Sequence, residues 1–214
     1  LVFRGGTCLH KLHLPKGLRY SEDLDYVRRT GGGIAEMVQA LREIGERLAM
    51  TVKVRMDQQP KVIFRAPFES GAGTMRVKIE VNTYERFPAR DLTRLPYNVD
   101  SNWFTGSAEV QTFELAELMA TKIRALYQRR KGRDLFDLWL ALTTLELDPG
   151  DIIDSFGPYR PDGYTGAQGR RTLEDHLSKK DFRHDLNQLV RNTPEAYDVD
   201  EAARMVTGEI LDRL

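Results

Sequence analysis

The spacing of apolar residues changes near residue 113, and this change constrains the fold more than any other feature of the sequence. Before it, apolar and polar residues alternate, most clearly at positions 75–82, as in a β-strand with one buried face. After it, apolar residues recur every three or four positions, as on an amphipathic helix. The pattern predicts an α+β fold, with a mixed β-sheet domain over residues 1–112 and a helical domain over residues 113–214.

The same periodicities predict the individual elements. Strands are expected at 1–3, 19–27, 51–55, 61–64, 75–82 and 109–112, with a short helix at 7–14 and a longer helix at 34–50. Residues 88–107 and 158–169 look like loops. In the C-terminal part, helices are expected at 113–128, 134–144, from Asp148-Pro149 onward, 181–190 and 198–214.

Composition excludes some classes of protein. The chain has 32 basic and 32 acidic residues, so any basic surface for a nucleic acid must be local. No apolar run approaches the ~20 residues of a membrane span. The single cysteine, Cys8, cannot form an internal disulfide, which fits a reducing cytoplasm. The chain begins at Leu1 without an initiator Met, so a preceding segment is expected.

The sequence Ser21-Glu22-Asp23-Leu24-Asp25 carries the strongest indication of chemistry. On a strand, Asp23 and Asp25 project from the same face. Their mutual repulsion is relieved by a hard divalent cation such as Mg²⁺, as in two-metal phosphoryl transfer. The alternative is that both are solvated loop acids, since Asp-x-Asp is common.

The segment Gly5-Gly6-Thr7 strengthens the first interpretation. Two glycines between a strand and a helix allow backbone N–H groups to approach phosphate oxygens, and Thr7 could cap the helix. The combination of this turn with an acidic pair one short helix later is much less likely to arise by chance than either feature alone. Gly-Gly alone could equally be an ordinary tight turn.

Glu80 is the candidate third carboxylate, either as a metal ligand or as the base for an acceptor hydroxyl. It lies on the polar face of its predicted strand, together with Lys78. A Lys/Glu pairing between strands on a solvent face explains it equally well. Only the order of strands in the sheet decides between the two.

Two charged residues of the helical part stand beside apolar positions. Lys122 lies at the edge of an apolar stripe, where a lysine either extends to water or neutralises a triphosphate in a cleft. Asp137, between Phe136 and Leu138, is expected to be partly buried and to need Lys122 or Arg133 as a partner.

A basic cluster and a histidine pair complete the candidates. The cluster could contact RNA or NTP phosphates, although a solvated helix end explains it too; it comprises Arg124, Arg129, Arg130, Lys131 and Arg133. His10 and His13 have no third ligand nearby in sequence, so a zinc site is not expected.

Four motifs together resemble the AbiEii/MenT nucleotidyltransferase toxins of the DNA polymerase β-like superfamily. They are Phe3-Arg4-Gly5-Gly6-Thr7, Arg19-Tyr20-Ser21-Glu22-Asp23-Leu24-Asp25, Thr121-Lys122-Ile123-Arg124-Ala125 and Arg133-Asp134-Leu135-Phe136-Asp137. The resemblance spans nearly the whole chain. It implies a small nucleotidyltransferase sheet domain and a helical domain that completes the active-site cleft.

The resemblance also implies roles and partners. Asp23 and Asp25 would be the metal ligands, with Glu80 less secure as a third. Gly5, Gly6, Thr7, Ser21 and Lys122 would bind the nucleotide, and Asp137 would complete the catalytic set. The implied reaction is Mg²⁺-dependent transfer from an NTP to a tRNA 3′ end, which blocks translation, with a cognate antitoxin as partner. A small-molecule or protein acceptor, or a silent protein that only binds a partner, remains the alternative.

Overall fold

The computed structural model describes residues 1–15, 18–102, 104–190, 194 and 196–214. Contacts between residues group the chain into two units. The sheet unit comprises Leu1–Cys8, Ser21–Phe87 and Arg94–Thr112. The helical unit comprises Leu9–Tyr20, Pro88–Thr93 and Phe113–Leu214.

The described strands form one mixed sheet in the order β3-β4-β5-β2-β1-β7-β6. Neighbours are antiparallel in β3/β4, β4/β5 and β1/β2, and parallel in β2/β5 and β1/β7. The strands are β1 (Val2–Arg4), β2 (Leu24–Val27), β3 (Thr51–Met56), β4 (Pro60–Pro67), β5 (Thr74–Asn82), β6 (Leu92–Asp100) and β7 (Thr105–Phe113). The α+β class predicted from the sequence is confirmed.

One helix covers one face of this sheet. Helix α2 (Ala35–Arg47) buries Leu41 against the alternate residues of β4 and β5 that the periodicity predicts to point inward. The shared core consists of Leu41, Val62, Phe64, Ile79 and Val81. The polar residues of the same strands therefore occupy the opposite face.

The prediction for residues 88–107 was wrong. Most of this stretch forms β6 and the start of β7, while Trp103 lies outside the described residues. Strand β6 contains Pro96 and lies at the edge of the sheet. Edge strands tolerate proline, since one side of the strand needs no ladder hydrogen bonds.

Two boundaries near the N-terminus also differ from the prediction. Strand β2 begins at Leu24, so Asp23 precedes the strand instead of belonging to it. The short helix α1 (Gly5–Cys8) already includes Thr7, which is buried and is not a cap. A single turn of π-helix (Leu9–His13) follows and begins the helical unit.

The helical unit is built around two buried helices, α3 (Leu115–Gln128) and α4 (Gly132–Thr143). The other helices are α5 (Pro149–Asp154), α6 (Gly166–Leu177), α7 (Lys180–Arg183) and α8 (Val199–Glu209). The predicted start at Asp148-Pro149 is confirmed, because the Asp148 side chain accepts from the Gly150 N–H. Helix α7 is much shorter than the predicted 181–190. No described helix is long and apolar enough to cross a membrane.

Helix α6 was not predicted from the sequence, because the glycines at its start favoured a loop over residues 158–169. A β-carbon on Gly169 would lie 2.2 Å from the Tyr164 hydroxyl, so close packing explains this glycine. Thr165 and Gln168 form a reciprocal capping box at the start of α6. That pair was the available sequence signal for the helix.

Candidate active site

Strand register brings together two of the predicted carboxylates. Asp25 of β2 and Glu80 of β5 are Cα partners across a parallel pair, and Arg4 of β1 is the partner of Asp25 on the other side. Directly paired residues project from the same face of a sheet. Arg4, Asp25 and Glu80 therefore share the face that α2 does not cover.

Lys78 joins Glu80 to Asp23. Its Nζ lies 2.7 Å from Asp23 Oδ2 and 2.8 Å from Glu80 Oε1. Partial burial alone would lower the pKa of Lys78, but the hydrogen bonds to Asp23 and Glu80 raise it overall. Lys61, the β4 partner of Glu80, adds a looser contact at 3.9 Å. Glu80 thus lies beside Asp25, as a role in the site would require, and it also pairs with lysine, as the alternative predicts.

The carboxylates of this face have the donor chemistry of a Mg²⁺ site. Asp23, Asp25 and Glu80 supply only hard oxygen donors, as Mg²⁺ prefers. Among the described residues, no group of three or more His, Cys, Asp or Glu side chains is already arranged to hold a metal ion. The ammonium of Lys78 instead bridges Asp23 and Glu80. The residues fit a divalent cation, which would compete with Lys78 for these oxygens.

Gly5 lies directly against this acidic group. It has a φ of +78°, and a β-carbon there would lie 2.3 Å from Asp25 Oδ2. Only glycine allows both the backbone conformation and this approach. The Thr7 hydroxyl lies 2.9 Å from that of Ser21 and also hydrogen-bonds to the Asp23 carbonyl. The Gly5-Gly6-Thr7 turn thus fixes the main chain on which both aspartates lie.

In the helical unit, Lys122 and Asp137 form a buried ion pair. Lys122 Nζ lies 2.7 Å from Asp137 Oδ2, with side-chain exposures of 6% and 0%. Arg19 binds the same carboxylate with two hydrogen bonds, and His10 Nε2 lies 3.1 Å from Asp137 Oδ1. Burial alone would raise the pKa of Asp137, but the charges of Lys122 and Arg19 and the hydrogen bonds of His10 and Arg19 hold it well below the usual range.

Asp134 extends this cluster. Its carboxylate, fully buried in the first turn of α4, accepts from Lys122 Nζ at 3.1 Å and from two nitrogens of Arg129. The Lys122 side chain therefore does not extend to water, because its ammonium neutralises two buried carboxylates. The expected partnership of Lys122 with Asp137 is confirmed, whereas Arg133 binds Asp185 instead.

Sequence reasoning missed Arg19 and His10 as members of this cluster. Arg19 lies more than a hundred residues from Asp137 in the chain, in a segment predicted to be a strand. The only available signal was that a buried carboxylate needs more than one donor.

The predicted basic cluster is largely neutralised. Arg129 pairs with Asp134, Arg130 with Asp181, and Lys131 and Arg133 both approach Asp185. The guanidinium of Arg124 lies over the Tyr159 ring. These contacts favour the structural interpretation of the cluster over a surface for phosphates.

Comparison with known proteins gives one family and several similar folds. Residues 1–205 match the family model described as "Nucleotidyl transferase AbiEii toxin, Type IV TA system". MenT4, a nucleotidyltransferase toxin from Mycobacterium tuberculosis H37Rv, is 19% identical with a TM-score of 0.63, and the match covers 100% of this chain and 75% of that one. JHP933 from Helicobacter pylori is 18% identical with a TM-score of 0.53, covering 97% and 81%. No match was found among curated protein sequences.

Proposed function

This chain belongs to the AbiEii family of nucleotidyltransferase toxins, and from that premise we propose that it transfers a nucleotide from an NTP to an RNA acceptor, with release of pyrophosphate. The acceptor in this proposal is a tRNA 3′ end, and its modification blocks translation. The family's assignment to type IV toxin–antitoxin systems implies an antitoxin as partner. The proposal also takes residues 1–112 as the catalytic domain and residues 113–214 as the helical domain.

The observation that carries the proposal is the register of β2 with β5. It puts Asp25 beside Glu80, while Lys78 bridges Glu80 and Asp23, so three carboxylates from two segments lie at one place on the sheet face opposite α2. Phosphoryl transfer needs cations where negative charge develops, and carboxylates are the groups that would hold a divalent metal ion there. When bound there, Mg²⁺ supplies charge neutralisation for the triphosphate.

The remaining residues take roles in positioning. Ser21 and the Gly5-Gly6-Thr7 turn would hold the triphosphate beside the carboxylates, through hydroxyl and backbone N–H groups. The acceptor hydroxyl attacks the α-phosphate in line, and a carboxylate such as Glu80 takes its proton. Lys122 and Asp137 are assigned to nucleotide contact and to completion of the site by the motif resemblance alone.

The test is a transfer assay with matched variants. Purified protein is incubated with Mg²⁺, each labelled NTP in turn and total tRNA, and Asp23→Ala is compared with Asp57→Ala. Asp57 is an exposed acid whose carboxylate lies 3.4 Å from Lys61 Nζ, so its removal should leave transfer intact. We expect label in tRNA with one NTP for the wild type and for Asp57→Ala, and none for Asp23→Ala.

Two other outcomes separate the alternatives. NTP binding without transfer to any RNA would contradict the RNA acceptor and direct the search to small molecules and proteins. A wild-type protein that binds no NTP in the presence of Mg²⁺, as measured by calorimetry, would contradict enzymatic activity and favour an interaction protein.

A further inference from the structure

The face of the sheet opposite α2 is rich in cations on three neighbouring strands. Arg65 of β4 is the Cα partner of Arg76 of β5, and Arg55 of β3 is the partner of Lys61. Paired residues, and residues two apart on one strand, point to the same side. The register therefore collects six cations on this side, which we call the basic sheet face: Lys53, Arg55, Lys61, Arg65, Arg76 and Lys78.

Four of these cations are exposed, and the described residues provide them with no counter-ion. Lys53, Arg55, Arg65 and Arg76 are solvent-exposed, and within the described parts of the chain no carboxylate oxygen lies within ion-pairing distance of them. This differs from Lys61 and Lys78, which contact acids. The zero net charge of the chain makes such a local excess informative, because it does not follow from composition.

Arg65 and Arg76 give the most specific indication of a ligand. They lie directly opposite each other on antiparallel strands, where like charges destabilise a sheet unless an anion lies between them. An open depression of about 480 Å³ is lined by both arginines and by Thr51 and Thr74. Guanidinium groups and hydroxyls together are donors suited to phosphate oxygens.

The basic sheet face leads directly to the carboxylates of the candidate active site. Lys78 is two residues from Glu80 on β5, and Glu80 is the register partner of both Lys61 and Asp25. All of these side chains project from the same side of the sheet. An anionic strand lying on β3–β5 would therefore end beside Asp25 and Glu80.

We propose that the basic sheet face binds the phosphate backbone of the acceptor RNA and directs its reactive end towards Asp23, Asp25 and Glu80. This inference rests on the proposed function for the identity of the polyanion. No aromatic side chain occurs at the positions that share the face, which are 51, 53 and 55 on β3, 61, 63 and 65 on β4, and 74, 76, 78 and 80 on β5. Recognition here is therefore of the backbone, which positions an RNA, and not of stacked bases.

The experiment compares two double variants of the whole chain. Arg65→Ala/Arg76→Ala removes two exposed cations of the basic sheet face, and Arg42→Ala/Arg47→Ala removes two exposed cations from α2, which packs on the other face. Binding of a labelled single-stranded oligoribonucleotide is measured by fluorescence anisotropy over a range of KCl concentrations, with poly-glutamate as a second probe. Thermal unfolding and Mg²⁺-NTP binding serve as checks: neither variant should unfold at a lower temperature than the wild type, and NTP binding should not change.

We expect Arg65→Ala/Arg76→Ala to bind RNA more weakly, and its plot of log affinity against log salt concentration to be shallower by about 1.4, for two lost phosphate contacts. Arg42→Ala/Arg47→Ala should match the wild type. Equal behaviour of the two variants, or wild-type protein that binds no RNA at low salt, would overturn the inference. Tighter binding of poly-glutamate than of RNA would overturn it in favour of an acidic protein partner.

Failure of this inference and failure of the proposed function are distinguishable. If both double variants transfer nucleotide to RNA as the wild type does at limiting RNA concentration, the function holds and the binding surface is refuted. If RNA binding depends on Arg65 and Arg76 but no nucleotide is ever transferred, the surface is supported and the proposed reaction is refuted.

Discussion

The carboxylate of Asp25 lies against the main chain of Gly5, with Oδ2 only 2.3 Å from the position that a β-carbon on Gly5 would occupy. Asp25 lies on β2, and Gly5 begins α1 directly after β1, the antiparallel neighbour of β2. The first glycine of the Gly-Gly turn is therefore needed for the placement of an acidic side chain, whatever the turn also does for a phosphate.

Substitution of Gly5 should thus damage the site and the fold together. Gly5→Ala introduces a clash with Asp25 and forces alanine into a left-handed conformation, which costs about 1–2 kcal/mol in unfolding free energy. Gly33→Ala is the matched control, since nothing lies within 4 Å of its β-carbon position and its φ is not positive. Urea denaturation and the transfer assay measure both effects, and equal results for the two variants would refute the close approach.

Loss of the Lys122 charge should destabilise the helical unit. Lys122→Met leaves Asp134 and Asp137 buried with only their remaining partners, and a broken buried pair costs about 3 kcal/mol or more. Arg204→Ala, which breaks an exposed pair with Glu201, should change the unfolding free energy by less than about 0.5 kcal/mol. A stable Lys122→Met protein without transfer activity would show instead that Lys122 acts mainly in catalysis.

The buried carboxylate of Asp137 should make the unfolding free energy depend on pH in the acid range. Its pKa in the folded chain is well below the ordinary 3.8, so its ionised form contributes stability above that pH. This contribution is lost as the pH falls from 3.8 towards the folded-state pKa. Asp137→Asn should be less stable than the wild type at neutral pH and should lose less stability over the acid range. Asp162→Asn, at an exposed position, should follow the wild-type pH curve.

Removal of Lys78 should strengthen the binding of a free divalent cation. Its ammonium binds oxygens of Asp23 and Glu80 that a metal ion would need. A unit charge at this distance changes the free energy of cation binding by at least ~1 kcal/mol. Lys78→Met should therefore bind Mn²⁺ at least about fivefold more tightly than the wild type in the absence of NTP. Lys53→Met is the control, since Lys53 is an exposed cation of the same face and no described carboxylate lies within ion-pairing distance of it. If the Mn²⁺ affinity rises equally in the two variants, Lys78 does not compete for the site.

The reactivity of the Cys8 thiol should report global unfolding of the protein. Burial raises the pKa of its thiol to about 12, and its Sγ lies 3.0 Å from Thr112 Oγ1. Because the thiolate is the reactive form, a thiol reagent at mildly alkaline pH should label the folded protein very slowly and the urea-unfolded protein quickly. Rapid labelling without urea would contradict the burial of Cys8.

The local part of the site could be predicted from the sequence, whereas its long-range partners could not. The Asp-x-Asp spacing identified Asp23 and Asp25, and the alternation of apolar and polar residues put Glu80 on the polar face of β5. The neighbourhood of Asp25 and Glu80 depends on a parallel pairing of β2 with β5, which no local pattern encodes. The same holds for Arg19, which reaches Asp137 through the fold.

The errors in the fold have physical causes at particular residues. Gly166 and Gly169 suggested a loop, although both lie where a β-carbon would collide with neighbouring atoms, so α6 needs them. The basic cluster at 124–133 was conspicuous in sequence, but its partners Asp181 and Asp185 come from a distant segment. The six cations of the basic sheet face are scattered over three strands, and only register reveals their common side.

Pro96 in the edge strand β6 restricts how another protein can recognise this chain. A peptide that joins a sheet as an additional strand needs a row of free N–H and C=O groups along the edge. Proline offers no N–H, and edge strands accept it where the missing donor faces outward. The ladder of hydrogen bonds that such a peptide requires would be interrupted at Pro96. A protein that binds along β6 therefore cannot continue an unbroken backbone ladder past Pro96.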